Sequence, residues 1–212
     1  MGNEIDSVQR RALRIIKGTA TFDDRYVPEH EVLKQLVGVL RAMGCTIAAT
    51  IGTWDLIHIG HLQYIALGKE EAGRLYPDTE HMIMVVGVDT DDLTRKRKGP
   101  TRPIVQQDER LKVLGHQRPI DVITLQYEFD QLYSVISPDV QIVSTSTKDL
   151  PADLEKVKCH CKHVVNLPPQ AETSTSARIR RLTIDGANAV LLKVEKGLTK
   201  ILQEVRDEIQ KG

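Results

Sequence analysis

The chain has 212 residues, with 29 basic and 29 acidic side chains for a formal net charge of zero, three cysteines and 4% aromatic residues. That length buries a sizeable core and fits one large domain with appendages. The balanced charge excludes the basic excess of a sequence-independent nucleic-acid binder, and no apolar run is long enough to span a bilayer.

Taken in chain order, residues 1–27 read as a polar N-terminal extension. They hold a short helix from Ser7 to Ile16, broken by Gly18-Thr19-Ala20-Thr21. A firmer helix starts at Pro28, carries Val32, Leu33, Leu36, Val37, Val39 and Leu40 as an apolar stripe, and stops at Gly44. Cys45 to Ile51 is a short apolar run rich in β-formers, as expected of a strand buried on both faces. A helix from His58 to Leu75 follows, then a second buried strand from His81 to Val88. Residues 89–104 are charged and hold Gly99, Pro100 and Pro103, so most of this stretch is expected to be a loop. Gln106 to Gly115 has a helical pattern, Val122 to Leu125 a strand, Phe129 to Ile136 a helix, and Val140–Val143 and His163–Leu167 the last two strands. This alternation predicts an α/β fold: a Rossmann-like, doubly wound, mostly parallel five-stranded sheet with helices on both faces. Leu191, Leu192, Val194, Leu198, Ile201, Leu202, Val205 and Ile209 then recur at helical spacing within residues 187–211. That amphipathic helix either packs on the domain or forms a dimer contact, and the pattern alone leaves both open. The opening residues, Met1 to Asp6, carry no signal-type apolar core, and three cysteines cannot all pair within one chain, so a reducing cytoplasm is the expected home.

Three segments carry candidate chemistry. The first is Gly52-Thr53-Trp54-Asp55-Leu56-Ile57-His58-Ile59-Gly60-His61, where a strand feeds a helix. A helix N-terminus offers unpartnered N–H groups and a dipole that favours anions. His58 and His61 are three residues apart and add two imidazole donors, while Gly60 lets a phosphate approach the backbone. The second is the basic stretch Arg95-Lys96-Arg97-Lys98-Gly99-Pro100-Thr101-Arg102-Pro103, suited to balancing a triphosphate and a further phosphate, with Arg110 as an additional phosphate partner. The third is Thr173-Ser174-Thr175-Ser176, four hydroxyls at a predicted helix start, more than a cap requires. Cys159-His160-Cys161 is spaced too tightly for a structural zinc site and is read as ordinary thiols. A P-loop and a G-x-G-x-x-G fingerprint are missing from the sequence.

These pieces, in this order, resemble the HIGH-motif nucleotidyltransferases of the cytidylyltransferase-like family. Gly52-Thr53-Trp54-Asp55 is similar to the family's G-x-F-D element, with tryptophan in place of phenylalanine, and His58-Ile59-Gly60-His61 to its H-x-G-H. Lys98-Gly99, Glu109-Arg110 and Ser174-Thr175-Ser176 are similar to its K-G, E-R and S-T-S elements. Within the family the run from Lys98 to Val105 looks most like the adenylyltransferase module of ADP-heptose synthases. The K-G-x-D-like loop of those enzymes is replaced here by Ser144-Thr145-Ser146-Thr147-Lys148-Asp149.

The resemblance implies a nucleotidyltransferase domain over residues 28–185, which leaves the amphipathic pattern as a separate C-terminal helix over 186–212. It implies that a nucleoside monophosphate passes from ATP or CTP to a phosphorylated small molecule, a sugar phosphate being favoured, with release of pyrophosphate. His58 and His61 would contact the α- and β-phosphates and Lys98 would bridge triphosphate and acceptor, as the catalytic residues. Gly52, Thr53, Trp54, Asp55, Gly60, Arg110, Ser174, Thr175 and Ser176 would bind the nucleotide. Magnesium is expected with the triphosphate; no protein ligand for it is assigned, Asp55 being the candidate. The same transfer onto flavin mononucleotide or glycerol 3-phosphate is the near alternative. A nucleotide-binding sensor without turnover is the alternative of another class. Expected partners are therefore the nucleotide and its small-molecule acceptor, without nucleic acid or membrane, and a second copy through the C-terminal helix.

Overall fold

A computed structural model describes residues 2–145, 157–171 and 175–209. The elements run α1 (Gly2–Ile16), α2 (Phe22–Arg25), α3 (His30–Ala42), β1 (Thr46–Gly52), α4 (Ile59–Leu75), β2 (Met82–Asp89), α5 (Asp91–Lys98), α6 (Gln107–Gly115), β3 (Val122–Gln126), α7 (Gln131–Ile136), β4 (Val140–Ser144), β5 (His163–Leu167) and α8 (Thr175–Ile209). The chain forms two compact units, residues 1–171 and residues 172–212.

The first unit is built on a five-stranded sheet in the order β3-β2-β1-β4-β5, every neighbouring pair parallel. Alternate residues of each strand face opposite layers, as the pleat requires. Ile47, Ala49, Ile83, Val85 and Val122 pack with Val8, Ala12 and Ile15 of α1, with Leu33, Leu36 and Leu40 of α3, and with Leu132 and Ile136 of α7. Ala48, Met84, Val86, Val88, Ile123 and Ile142 pack with Tyr64, Ile65 and Ala72 of α4 and with Leu111 and Leu114 of α6. The fold is therefore doubly wound, with the apolar side chains of both layers removed from water as its main support.

Two segments differ from the sequence expectation. Residues 1–27 carry two helices rather than one. The short α2 is capped by Thr21, whose hydroxyl accepts the Asp24 amide while the Asp24 carboxylate accepts the Thr21 amide. Asp24 also takes Arg14 Nε at 2.9 Å, and this bond to Arg14 is the main reason its carboxyl pKa falls to about 2. Residues 91–98, expected within a loop, form α5. The Thr90 hydroxyl accepts the Leu93 amide at 3.2 Å, Asp91 and Asp92 sit in the first turn, and Arg95 to Lys98 fill the last. Each of these placements favours the helix through its cap or its dipole. Gly99 ends it at φ 98°, a backbone that a side chain would strain.

The strand order reverses between β1 and β4, and in such sheets ligands sit beyond the carboxyl ends of the strands at that point. β1 pairs with β2 along its whole length, from Thr46 to Gly52, but with β4 at Ala48 and Ala49. The last turn of β1 therefore parts from β4 where the turn after Gly52 begins.

α8 is one continuous helix of 35 residues, longer than the pattern over 187–211 indicates. Among the described residues no helix is long and apolar enough to cross a membrane.

Candidate active site

The turn from β1 into α4 is strained and tightly held. Trp54 and Leu56 take positive φ values of 55° and 47°, costly for side chains of their size. Trp54 is buried, donates from its indole nitrogen to Gly87 O at 2.8 Å, and meets the His61 ring edge-on at 5.7 Å. It supports the histidine turn from beneath.

His58 is not on the helix but is its N-cap, with extended φ −140° and ψ 170°. Its Nδ1 accepts the Gly60 amide at 3.1 Å, and its own amide donates to His61 Nδ1 at 3.4 Å. The two imidazoles thus form a reciprocal capping box in the places where a serine and a glutamate are usual. Because each Nδ1 accepts, each ring in its neutral form carries its proton on Nε2. The ring centroids lie 4.0 Å apart. The box therefore brings the two histidines together, as the spacing predicts, and fixes both tautomers as donors. Gly60 is required here: a Cβ would fall 2.5 Å from the Ala171 Cβ and 3.0 Å from the His58 ring.

Asp55 is almost fully buried and is occupied by the protein itself. Its carboxylate accepts the amides of Ile104 and Val105 at 2.9 to 3.1 Å and pairs with Arg102 Nη2 at 2.8 Å. With its oxygens so used, Asp55 does not suit a metal ion; it clips the segment after α5 to the histidine turn. Among the described residues no three His, Cys, Asp or Glu side chains are grouped to hold a metal.

Arg110, expected to meet a phosphate, has no exposed surface. Nε donates to Val105 O at 2.9 Å, Nη1 to Thr53 O, and Nη2 to Asp89 O at 2.9 Å and to Asp91 Oδ1 at 2.7 Å. Its guanidinium joins the turn after β1, the end of β2, the start of α5 and the segment before α6.

Lys98 is the last residue of α5 and is exposed. Arg97 is paired with Asp89 at 2.8 Å and Arg102 with Asp55, and among the described residues no ion pair is recorded for Lys98. Crowding around it lowers its ammonium pKa, Arg102 and Arg97 push the same way, and Asp89 and Asp55 oppose them.

Thr53 is buried and donates its hydroxyl to Asp89 at 2.9 Å, so within the chain its side chain serves the turn. Gly52 ends β1, where a Cβ would press on the Trp54 ring at 3.2 Å. Thr175 and Ser176 open α8, while Ser174 and Ser146 to Asp149 lie outside the described residues. Asp89 and Gln126 at the strand ends are the site-forming residues that sequence reasoning misses. The signal for Asp89 is a carboxylate closing an otherwise apolar strand.

A parallel sheet with fixed imidazole donors and a cationic helix end at its switch point is the frame of a nucleotide-binding α/β protein. Residues 49–182, more than half of the chain, match the cytidylyltransferase-like family model, and the chain belongs to that family of nucleotidyltransferases. Among curated relatives it is 30% identical over 162 residues to the bifunctional protein HldE of Klebsiella pneumoniae subsp. pneumoniae, covering 75% of this chain and 32% of that protein. It is 33% identical over 113 residues to HldE of Blochmanniella pennsylvanica, covering 52% of this chain and 22% of that one. The chain thus spans a third or less of the length of these relatives. Among solved structures, a pantoate-beta-alanine ligase from Francisella tularensis superposes with a TM-score of 0.50 at 10% identity, over 71% of this chain and 68% of that one, a likeness of fold alone.

Proposed function

We propose that this protein transfers a nucleoside monophosphate from ATP or CTP to the phosphate of a small acceptor, a sugar phosphate being favoured, with release of pyrophosphate. The observation that supports the reading is the histidine capping box, which sets two imidazoles side by side at the N-terminus of α4, on the turn that follows β1. A phosphate nucleophile is already ionised and needs no general base. The chemical task is to align two anions and to stabilise charge moving onto the leaving pyrophosphate. His58 and His61 donate to the α- and β-phosphates, and Lys98 bridges triphosphate and acceptor. Gly52 and Gly60 let Trp54 and His58 pack closely in the nucleotide turn, and the family's S-T-S motif alone assigns the hydroxyls of Ser174, Thr175 and Ser176 to the pyrophosphate. Thr53, Trp54, Asp55 and Arg110 shape the nucleotide turn from within. Magnesium arrives as the counter-ion of the triphosphate, a cation that is commonly held by substrate phosphates rather than by an all-protein cage. Three free cysteines and a triphosphate substrate suit a cytoplasmic setting. Pyrophosphate release, measured with each triphosphate against a panel of phosphorylated sugars, flavin mononucleotide and glycerol 3-phosphate, is expected with ATP or CTP and a sugar phosphate. Binding of a triphosphate without release on any acceptor overturns the catalytic reading.

The partner of α8 in this reading is a second copy of the chain. Ile184, Leu191 and Leu198 recur every seven residues with Ala187, Val194 and Ile201 between them, the spacing of a coiled-coil seam. Light scattering is expected to give twice the chain mass for the parent and the single mass for the Leu191→Glu, Leu198→Glu double variant; a parent already at the single mass excludes the pairing.

A further inference from the structure

Asp89 ends β2 with no exposed surface, and three elements close on its side chain. Oδ2 accepts the Thr53 hydroxyl at 2.9 Å and Arg97 Nη1 at 2.8 Å, and Oδ1 accepts Gln126 Nε2 at 2.8 Å. These donors come from the turn after β1, from the last turn of α5 and from the end of β3. A buried carboxylate is costly unless it is paired and fully hydrogen-bonded, and this one is both. Arg97 is held from its other side as well, its guanidinium carbon lying 4.3 Å from the centroid of the Phe129 ring. The neighbouring residue in the chain is Lys98. Neither the transfer chemistry nor the family motifs assign Asp89 a part.

We propose, resting on the reading of Lys98 as the bridge between triphosphate and acceptor, that Asp89 is a positioning residue for that lysine: through Arg97 and Thr53 it ties the end of α5 to the histidine turn, and its charge offsets those of the arginines beside Lys98. The charged groups facing Lys98 are Asp89 from β2, Arg97 from α5, Arg102 from the segment after α5 and Asp55 from the turn after β1. The two carboxylates favour the ammonium; the protein crowded around the exposed side chain's amine and the two arginines disfavour it. Neutralising Asp89 removes one favourable charge and leaves Arg97 uncompensated, so the Lys98 ammonium loses its proton at a lower pH. Neutralising Arg97 removes an unfavourable charge and sends the titration the other way. The opposite shifts report the charges around Lys98, and the matching shift in turnover distinguishes a positioning role from a purely structural one.

The test uses the full chain as parent, Asp89→Asn and Arg97→Gln. Competitive acetylation with acetic anhydride, read by mass spectrometry on the peptide holding Lys98, reports the titration of that amine without turnover. The half-labelling pH is expected to fall by about half a unit or more in D89N and to rise in R97Q. Curves unmoved in both variants, or moved the same way, overturn the proposal. The alkaline limb of kcat/KM for pyrophosphate release is expected to follow the labelling. Labelling shifts without a matching kinetic shift leave Asp89 in place and remove Lys98 from the transfer step, so the two failures are distinguishable.

Discussion

Replacing His61 by alanine is expected to lower the rate of pyrophosphate release by about 100- to 1,000-fold, the usual cost of one preorganised donor in a charge-stabilising site. The geometry sets the terms of the comparison. His61 does two things at once in this reading: its Nδ1 accepts the His58 amide at 3.4 Å, and its Nε2, which carries the proton in the neutral ring, donates to the phosphates. Alanine removes both, so a lower rate with an unsteady helix start would be ambiguous. His61→Gln separates them, because glutamine at the third helical position serves a capping box and keeps an acceptor for the His58 amide. The glutamine variant is expected to match the parent in thermal unfolding and to match the alanine variant in its loss of turnover. Turnover near the parental rate in the glutamine variant would show that the ring is there for the cap alone.

The second large effect falls on stability. Arg110→Met is expected to destabilise the fold by about 3–5 kcal/mol, the cost of leaving one member of a buried ion pair behind. Asp91 would lose its partner, and the carbonyls of Val105, Thr53 and Asp89 would each lose a donor. The denaturant midpoint should drop with little change in slope. If Arg110 served the nucleotide directly, the same variant would keep its midpoint and raise KM for the triphosphate instead. An unchanged midpoint would therefore refute the structural role of this guanidinium.

Both predictions turn on what local sequence does and does not carry. β1 and β2 are legible as nearly unbroken apolar runs, as strands covered on both faces must be, whereas Gln141 in β4 and His163 and Asn166 in the edge strand β5 interrupt the pattern. Ile47 and Ala49 face one layer and Ala48 the other, but all are apolar, so the run is visible although the alternation is not. α5 was marked in the sequence as well: Thr90 as cap, two aspartates after it, four basic residues and then Gly99. The proline pair and the charge density of 89–104 outweigh those marks when the stretch is read as one loop. The roles of Asp55, Asp89 and Arg110 have no local signature. Their partners lie between 5 and 57 residues away, and an arginine in a basic neighbourhood reads as a phosphate ligand until its donors are seen to be spent inside the chain. The histidine pair stands between these cases. Its spacing points to a shared face, yet the reason it has one is a cap that histidine seldom forms.

The early parting of β1 from β4 has a further consequence. β1 stays bonded to β2 through Gly52, while its ladder to β4 is recorded at Ala48 and Ala49. From Thr50 to Gly52 the strand is thus laddered on one side alone, and the histidine turn that follows hangs on β2, through the Trp54 indole on Gly87, and on the clip that Asp55 makes with Ile104 and Val105.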